Sequence, residues 1–400
     1  MLTVFEALEL VAQSALPLAA RSVPLGEALG TRLAEAIVSD IDSPPFDKSM
    51  LDGYAIDVQD SSPNRQIVEE VIAGGVPHHS VKPGTTIRVM TGAPMPEGAN
   101  AVVKHEDTSL MSDTTVKLPD TLPHEGYGIF LRGSSFHAGE EVLPAGKRLR
   151  SIDLALLAEV GCGKVEVVPH PRVAVLATGN ELVECGESLA PGQIRNSNSP
   201  MLVAALREVG ATPVELGIAR DDPGELKSAI ETGLEADVLL ITGGVSAGVM
   251  DLVPGILTEL GVTKVFHKVR MKPGKPLWYG VRELAGHRTL VFGLPGNPVS
   301  TLVSFVLFVK PSLTALGGAA FEQSPALRGT LTTSAIHRGG RPTYHPCQLG
   351  QAMDASLSVR PLPWRGSADL AALTRANGLI VLPAGDYELT VGTAVEVMRL

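Results

Sequence analysis

Cysteine and charged residues are scarce in this chain of 400 residues, and both scarcities exclude classes of protein. The only cysteines, Cys162, Cys185 and Cys347, are odd in number, far apart and without CxxC spacing, which argues against a disulfide framework and a structural zinc site. Charged residues make up only 19% of the sequence and hydrophobic residues 44%, so the composition is not that of a disordered chain.

Runs of basic residues and long apolar segments are also missing. The formal net charge is −10, which argues against a nucleic-acid partner and implies that any anion site is local. The most apolar run, residues 299–309, is shorter than the ~20 residues that span a bilayer; it predicts a buried helix and no membrane association. The acidic N-terminus lacks the basic segment of a secretory signal, so a cytoplasmic location is expected.

The spacing of apolar residues divides the sequence into four predicted domains. Residues 3–37 are predicted to be mostly helical, through TVFEALELVAQ and LGEALGTRLAEAI. They belong to a helical and linker domain formed by 1–45 and 141–170. Short β-branched segments separated by Gly and Pro predict an inserted β domain over 46–140.

The second half alternates between apolar strands and amphipathic helices. Over 171–318 this pattern predicts an α/β domain with a doubly wound, mostly parallel sheet covered on both faces. Short strands return over 319–400 and predict a small β-barrel-like domain. The predicted fold class is therefore multidomain α/β plus β.

Gly-rich and acidic loops follow four of the predicted parallel strands, where α/β sheets bind ligands. The loops contain Thr178-Gly179-Asn180-Glu181, Arg220-Asp221-Asp222, TGGVSAGVMD over 242–251, and LPGNPVS over 294–300. The glycine loop is neither a Walker A nor a GxGxxG sequence, although its N–H groups suit a phosphate. Asp222 before Pro223 is equally typical of a helix N-cap.

The segment VRMKPGKPLWYG, 269–280, holds Lys272 and Lys275 in a stretch stiffened by two prolines. Two neighbouring ammonium groups repel each other unless an anion lies between them. Carboxylates in the same crevice favour Mg²⁺, which commonly shares its ligand shell with a substrate phosphate. The combination predicts phosphoryl or nucleotidyl chemistry.

Eight segments, in this order, resemble the molybdopterin molybdenumtransferase family, which includes the gephyrin E domain. They are PFDKSMLDGYA, VMTGAPMPEGANAVV, ATGNEL, GQIRNSN, RDDP, ITGGVSAGVMD, KPGKP and FGLPGNPVS. The resemblance implies an elongated, four-domain homodimer that inserts molybdate into adenylated molybdopterin and releases AMP, supported by Mg²⁺. It also implies a site shared between the α/β domain of one subunit and the β domain of its partner. The adenylyltransferase and proteins that mature molybdoenzymes are further expected partners.

The resemblance also assigns roles to residues of this sequence. The residues predicted as catalytic are Asp52, Thr91, Glu181, Asp221, Asp251, Lys268 and Lys272. The residues predicted to bind substrate are Thr178, Gly179, Gly243, Gly244, Ser246, Lys275, Pro295, Asn297, Pro298, Ser300 and Ser367, of which Lys275 and Ser300, with Lys272, match an oxyanion pocket. Separately from the resemblance, the carboxylates of the loops predict that Glu181, Asp221, Asp222 and Asp251 hold the metal.

Two positions depart from the pattern of the family. Relatives carry an acid near the position of Ser135, and an arginine where this chain has His345-Pro346. Arg338, Arg341 or Arg365 are the candidates to replace that arginine, and the sequence does not choose among them. An adenylyltransferase-like enzyme and a non-catalytic carrier or scaffold are the alternative functions.

Overall fold

A computed structural model describes residues 1–244, 252–322, 326–352 and 355–400. The chain divides into two units. The first contains Met1–Ser22, Gly30–Ala34 and Glu166–Leu400, and the second contains Val23–Leu29 and Glu35–Val165. The four predicted domain ranges are finer than this division and stay predictions.

The N-terminal segment contains one helix rather than the mostly helical 3–37 that the sequence predicted. Its elements are α1 (Val4–Ser14), a 3₁₀ turn (Leu25–Glu27), β1 (Arg21–Pro24), β2 (Arg32–Leu33) and β3 (Ile37–Val38). Thr3 and Glu6 close α1 with a capping box. The prediction of a second helix over LGEALGTRLAEAI was wrong because Gly26 and Gly30 interrupt it; Gly30 has φ +79°, which is incompatible with a helix.

The second unit is dominated by a six-stranded sheet. Its elements are β4 (Lys48–Ser49), β5 (Gly53–Ile56), β6 (Asn64–Val71), β7 (Thr85–Val89), β8 (Ala101–Lys104), β9 (Ser109–Ser112), β10 (Thr115–Lys117), β11 (Ile129–Phe130), β12 (Glu141–Leu143) and α2 (Ser151–Glu159). The strand order is β8-β5-β7-β6-β10-β9. Side chains of β5 alternate between two apolar clusters, with Ala55 in one and Tyr54 and Ile56 in the other, so both faces of β5 are covered.

The α/β region begins after β13 (Lys164–Val168), which pairs with β2 in the first unit. Its elements are β14 (Arg172–Thr178), β15 (Leu182–Val183), β16 (Ile194–Arg195), α3 (Asn198–Glu208), β17 (Thr212–Ala219), α4 (Pro223–Gly233), β18 (Val238–Thr242), α5 (Val253–Glu259), β19 (Thr263–His267), β20 (Trp278–Leu284), β21 (His287–Leu294), α6 (Pro298–Ser304), a π-helical turn (Phe305–Val309) and α7 (Lys310–Leu316). The sheet order is β17-β14-β18-β21-β20-β19.

Helices cover both faces of this sheet, as the sequence predicted. The first four strands of the order are parallel to one another, and β20 pairs antiparallel with both of its neighbours, β21 and β19. Val173 and Val175 of β14 share a core with α1, α3 and α6, whereas Ala174 and Leu176 share the opposite core with α4 and α5. The sheet is therefore doubly wound and mostly parallel.

The apolar run at 299–309 lies inside a continuous helical segment, Pro298–Leu316. This segment has 19 residues and a mean hydropathy of 1.7, and is long and apolar enough to cross a membrane by length and composition. It is nevertheless 83% buried inside the protein. The sequence prediction of a buried core helix is confirmed.

The elements of the C-terminal region are β22 (Leu327–Leu331), β23 (Ala335–His337), β24 (Thr343–Gln351), β25 (Leu357–Pro361), α8 (Leu370–Leu373), β26 (Gly378–Leu382), β27 (Tyr387–Leu389) and β28 (Ala394–Arg399). Five of these strands form a closed barrel of order β22-β25-β24-β26-β28. Cys347 lies in the barrel core, where burial raises the pKa of its thiol to about 12. This thiol is therefore unreactive at neutral pH.

Candidate active site

The four loops singled out in the sequence leave the sheet at one edge. They follow β14, β17, β18 and β21, which are parallel neighbours, so their carboxyl ends coincide. Gly179 donates its backbone N–H to the carbonyl of Ala219 at 3.3 Å, which joins the first two loops. Arg220 reinforces this joint by donating to the carbonyls of Asn180 and Leu182 at 3.1 and 2.8 Å.

The loop after β18 begins with backbone packed against the end of β14. A Cβ on Gly243 would lie 2.5 Å from the carbonyl oxygen of Thr178, and Gly243 has φ +87°. Only glycine permits this approach. The predicted residues Ser246 and Asp251, farther along the same loop, lie outside the described residues.

The predicted metal ligands occupy different local settings. Asp222 caps α4, because its Oδ1 accepts from the N–H groups of Gly224 and Glu225 at 3.0 and 2.9 Å. Asp221 donates its backbone N–H to Asn180 Oδ1 at 3.1 Å, which adds a further bond between the two loops. Within the described ranges, no group of three or more His, Cys, Asp or Glu side chains forms a metal site. The metal ligands therefore stay a prediction.

A cleft of about 530 Å³ lies beside Lys272 and Lys275 in the first unit. Four cationic side chains line it, and none of the described lining residues is acidic. The lining residues are Lys272, Pro273, Gly274, Lys275, Pro276, Pro295, Asn297, Ser300, Arg341, Trp364, Arg365, Gly366 and Ser367. The positive charge of this cleft, in a chain with net charge −10, suits an anion.

Hydrogen bonds to the barrel region fix the lysine segment. Lys272 donates its backbone N–H to the carbonyl of Pro342 at 2.9 Å. The backbone N–H of Tyr344 donates to the carbonyl of Lys272 at 2.8 Å. Gly274, with φ +102°, packs so closely on Met271 that a Cβ would overlap the methionine side chain. The backbone of KPGKP is therefore held in one shape, and Lys272 and Lys275 start from fixed positions.

The LPGNP turn before α6 also lines the cleft, through Pro295 and Asn297. Asn297 donates its side-chain amide to the hydroxyl of Ser367 at 2.9 Å, and the Val299 N–H donates to the Ser367 carbonyl at 3.1 Å. Ser300 is buried and lines the cleft. The structure thus brings together the predicted residues Lys272, Lys275 and Ser300 with those of the LPGNP turn and the tail serine.

Two of the three candidate arginines reach this cleft. Arg341 and Arg365 line it, whereas Arg338 donates to the carbonyls of His337 and Tyr387 and is not a lining residue. Lys268, predicted as catalytic, has φ +75° and is not among the lining residues described.

Trp364 lines the cleft and was not singled out in the sequence. Its ring contacts the His345 ring edge-to-face, with 5.5 Å between ring centroids. Burial is the main cause that lowers the pKa of His345, so this ring is neutral at physiological pH. Trp364 lies three residues before Ser367 in the segment WRGS, and no spacing or periodicity of the sequence singles it out.

Asp52 and Thr91 meet in the second unit. Thr91 donates its backbone N–H and its hydroxyl to Asp52 Oδ1, at 2.7 and 2.8 Å. These two bonds hold the pKa of Asp52 below its usual value, so its carboxylate is charged at neutral pH.

Ser135, which stands where relatives carry an acid, lies in the same unit. Its backbone N–H donates to the carbonyl of Ser43 at 2.9 Å. The neighbouring carboxylate of Asp42 accepts from Arg132 Nε at 2.5 Å. Asp42 directly precedes Ser43 and binds Arg132, so the second unit holds a carboxylate beside the turn where Ser135 departs from the pattern of the family.

Family models match three successive parts of the chain. The MoeA N-terminal region (domain I and II) matches residues 2–161, a probable molybdopterin binding domain matches 174–315, and the MoeA C-terminal region (domain IV) matches 328–400. A crystal structure of the molybdopterin biosynthesis MoeA protein from Pyrococcus horikoshii has a TM-score of 0.81 at 32% identity, covering 100% of this chain and 99% of that one. A molybdopterin-binding α/β domain between these two MoeA regions defines the class of protein.

Curated relatives identify the family. A molybdopterin molybdenumtransferase from a Nostoc species is 35% identical over 387 residues, covering 94% of this chain and 88% of the relative. Molybdopterin molybdenumtransferase 2 from Mycobacterium tuberculosis is 35% identical over 392 residues, covering 95% of each. The chain belongs to the molybdopterin molybdenumtransferase family, and the resemblance drawn from the sequence motifs is confirmed.

Proposed function

We propose that this protein inserts molybdate into adenylated molybdopterin and releases AMP. The observation that carries the proposal is the cleft lined by Lys272, Lys275, Arg341 and Arg365 without a described acidic residue. Molybdate is a small dianion, and cationic donors held in place by the fold bind it with little reorganisation. The names of the curated relatives support the same reaction.

The edge of the sheet would bind the adenylated pterin next to this cleft. The loops that begin with Thr178-Gly179 and Gly243-Gly244 bring backbone close to the edge, and the Pro295–Pro298 turn joins the edge to the cleft. Pro298 starts α6, and Ser300 lines the cleft two residues later. With this order of residues, the anion would bind beside the pterin, as insertion requires.

Mg²⁺ fits the chemistry of the predicted carboxylates. Oxygen donors are what Mg²⁺ prefers, and Glu181 and Asp221 lie on the two loops joined by Arg220. Together with Asp251 they would hold the ion, which would neutralise the phosphates of the adenylate. Asp222 contributes through Oδ2, because its Oδ1 caps α4.

The Asp52–Thr91 pair enters the proposal through the dimer. In a homodimer, the second unit of one protomer supplies this charged carboxylate to the site of its partner, and Lys268 acts near the lysine segment. We also propose that the protein works in the cytoplasm, where the adenylyltransferase of the preceding step supplies its substrate.

AMP release from adenylated molybdopterin tests the proposal, measured with and without molybdate and Mg²⁺. The expected result is release that depends on both ions. Glu181→Gln and Asp221→Asn should lower release and raise the Mg²⁺ concentration needed, while Glu231→Gln, on the exposed face of α4, should leave both unchanged. Binding of the substrate without release would identify a carrier instead.

A further inference from the structure

The closed barrel of the C-terminal region has a cavity at one of its ends. Its volume is about 660 Å³, and cavities of roughly 300–1,000 Å³ are typical of sites for small molecules. Leu327 and Leu357, at the starts of β22 and β25, line it together with Gln351 and Arg399, at the ends of β24 and β28. The cavity is therefore the mouth of the barrel, and is called the barrel mouth below.

The barrel mouth lies at the opposite end of the barrel from the cleft. β24 begins at Thr343, and the N–H of the next residue, Tyr344, donates to the carbonyl of Lys272. The strand has nine residues and ends at Gln351, in the mouth. At about 3.4 Å per residue, its ends lie roughly 27 Å apart. The described lining residues of the two sites do not overlap, so the mouth is a separate site.

The side chains that face the barrel interior change from apolar to charged toward the mouth. Val395 and Val397 of β28 belong to the barrel core. Arg399 follows two residues later, so it faces the same side of the strand. It is exposed, and within the residues that the structure describes its guanidinium makes no hydrogen bond and no ion pair. This guanidinium can therefore bind a ligand that enters the mouth.

Half-buried leucines form the floor of the mouth. Leu327, Leu349 and Leu357 line it and pack against the barrel core. The side-chain amide of Asn377 fixes Leu349, because it accepts from the Leu349 N–H at 2.6 Å and donates to the Leu349 carbonyl at 3.0 Å. The carbonyl of Asn377 also accepts from the Leu400 N–H at 3.1 Å. The floor is therefore apolar and held in place, so a ligand binds it with little reorganisation.

The rim of the mouth is positively charged. Arg328 lines the mouth beside Arg399, and none of the described lining side chains is acidic. Glu396 stands opposite Arg328 in the register of β22 and β28, but these two described side chains form no ion pair. An apolar floor below a cationic rim complements a ligand with an apolar body and one carboxylate.

We propose that the barrel mouth binds a small carboxylic acid, with its apolar body on the three leucines and its carboxylate on Arg399. A guanidinium suits a carboxylate because its planar fork donates two parallel hydrogen bonds and stays charged at physiological pH. Burial of the apolar body against the leucines adds to the affinity. Binding at the mouth does not depend on the proposed function, because the cleft lies at the other end of the barrel.

2-Naphthoate is the probe for this site, since it combines a bicyclic apolar body with one carboxylate. Isothermal titration calorimetry of the full chain should show saturable binding with a Kd below about 1 mM. 2-Naphthamide keeps the body without the charge, and acetate keeps the charge without the body. Each should bind about tenfold more weakly or worse, because each lacks one of the two interactions. This comparison uses only the wild-type protein.

The variants are Arg399→Gln, Arg399→Lys and, as a matched control, Arg360→Gln, which changes an exposed arginine of β25 outside the mouth. Arg399→Gln should weaken 2-naphthoate binding about tenfold or more, the usual loss for a charged hydrogen bond. Arg399→Lys should retain most of the affinity, and Arg360→Gln should match the wild type. Circular dichroism should show all variants folded, and AMP release by Arg399→Gln should equal that of the wild type.

Each outcome decides the proposal separately from the proposed function. Weaker 2-naphthoate binding in Arg399→Gln supports it, whether or not the wild type releases AMP. Equal affinities of the wild type for 2-naphthoate and 2-naphthamide overturn it, as does the absence of saturable binding. Normal binding in Arg399→Gln with lost binding in Lys272→Ala also overturns it, because the probe then occupies the cleft.

Discussion

The side-chain amide of Asn297 donates a hydrogen bond to the hydroxyl of Ser367 at 2.9 Å, across 70 residues of sequence. Asn297 belongs to the turn before α6, and Ser367 to the loop before α8. The Val299 N–H adds a second bond to the Ser367 carbonyl. The cleft is therefore built from two structural regions, and its shape depends on their junction.

Asn297→Ala should loosen this junction and raise the molybdate concentration needed for half-maximal AMP release by about tenfold. The physical reason is that the loop carrying Arg365 and Ser367 loses one of its two anchors. The free energy of unfolding should change by only ~1 kcal/mol, because a neutral hydrogen bond is lost at a partly exposed site. Molybdate titration and urea unfolding measure the two effects.

Ser367→Ala and the double variant are the control for this interpretation. If the two side chains act through their shared bond, the double variant should be no worse than the more damaging single variant. If the increase in molybdate requirement of the double variant equals the product of the increases in the two single variants, the residues act independently.

Lys272→Ala and Lys275→Ala should each raise the molybdate requirement about tenfold or more, with a smaller effect on the affinity for the pterin. Each substitution removes one charged donor from a cleft that has no described acidic residue to compensate. Lys264→Ala, on β19 and exposed, is the matched control. A molybdate dependence equal to that of wild type in both variants would contradict the assignment.

The sheet of the α/β region was predictable because its strands are apolar on both sides and its helices are amphipathic. Parallel pairing then places four loops at one edge without further information. The N-terminal segment was not predictable in the same way. Its apolar spacing is typical of helix over most of 3–37, and the positive φ at Gly30 prevents a second helix.

The residues of the cleft could also be predicted only in part from the sequence. The KPGKP lysines are visible in the sequence, but the choice between Arg338, Arg341 and Arg365 depends on tertiary contacts. The Arg338 side chain donates a hydrogen bond to the carbonyl of Tyr387, which is 49 residues away. The spacing of residues in the sequence cannot predict that bond. Trp364 was overlooked for a related reason, since a single aromatic residue in a polar loop has no pattern.

Asp52→Asn should lower turnover on the order of 10²-fold, the scale of a lost charged group in an active site. Thr91→Val should lower it less, because the backbone N–H bond to Asp52 remains. Since the pKa of Asp52 is already lowered, the wild-type rate should not report its titration above pH 5. Turnover as a function of pH measures this.

Asp107→Asn is the control for that pair, as Asp107 is an exposed acid in the same unit. Because the site is proposed to be shared between protomers, mixing Asp52→Asn with Lys272→Ala should restore part of the activity. Heterodimers would then contain one intact site. If the mixture of the two variant proteins is no more active than each variant alone, the site is not shared between protomers.

Asp153 should make the second unit sensitive to acid. Its carboxylate accepts the Arg150 N–H at 2.9 Å and the Arg150 Nε at 3.0 Å. Mainly through the Arg150 side chain, the pKa of Asp153 falls from 3.8 to about 2. A carboxyl with a lowered pKa in the folded state stabilises the protein above its unfolded pKa, and this contribution is lost as the pH falls toward 2.

Asp153→Asn should therefore reduce the free energy of unfolding at pH 7 by ~1 kcal/mol, the typical value of a helix cap. The difference between wild type and variant should shrink between pH 4 and pH 3, because the wild-type carboxyl then loses part of its advantage. Urea unfolding at both ends of this range measures it, with Asp120→Asn, an exposed acid of the same unit, as control. A difference that stays constant from pH 7 to pH 3 would mean that the charge of Asp153 contributes nothing and that only its shape matters.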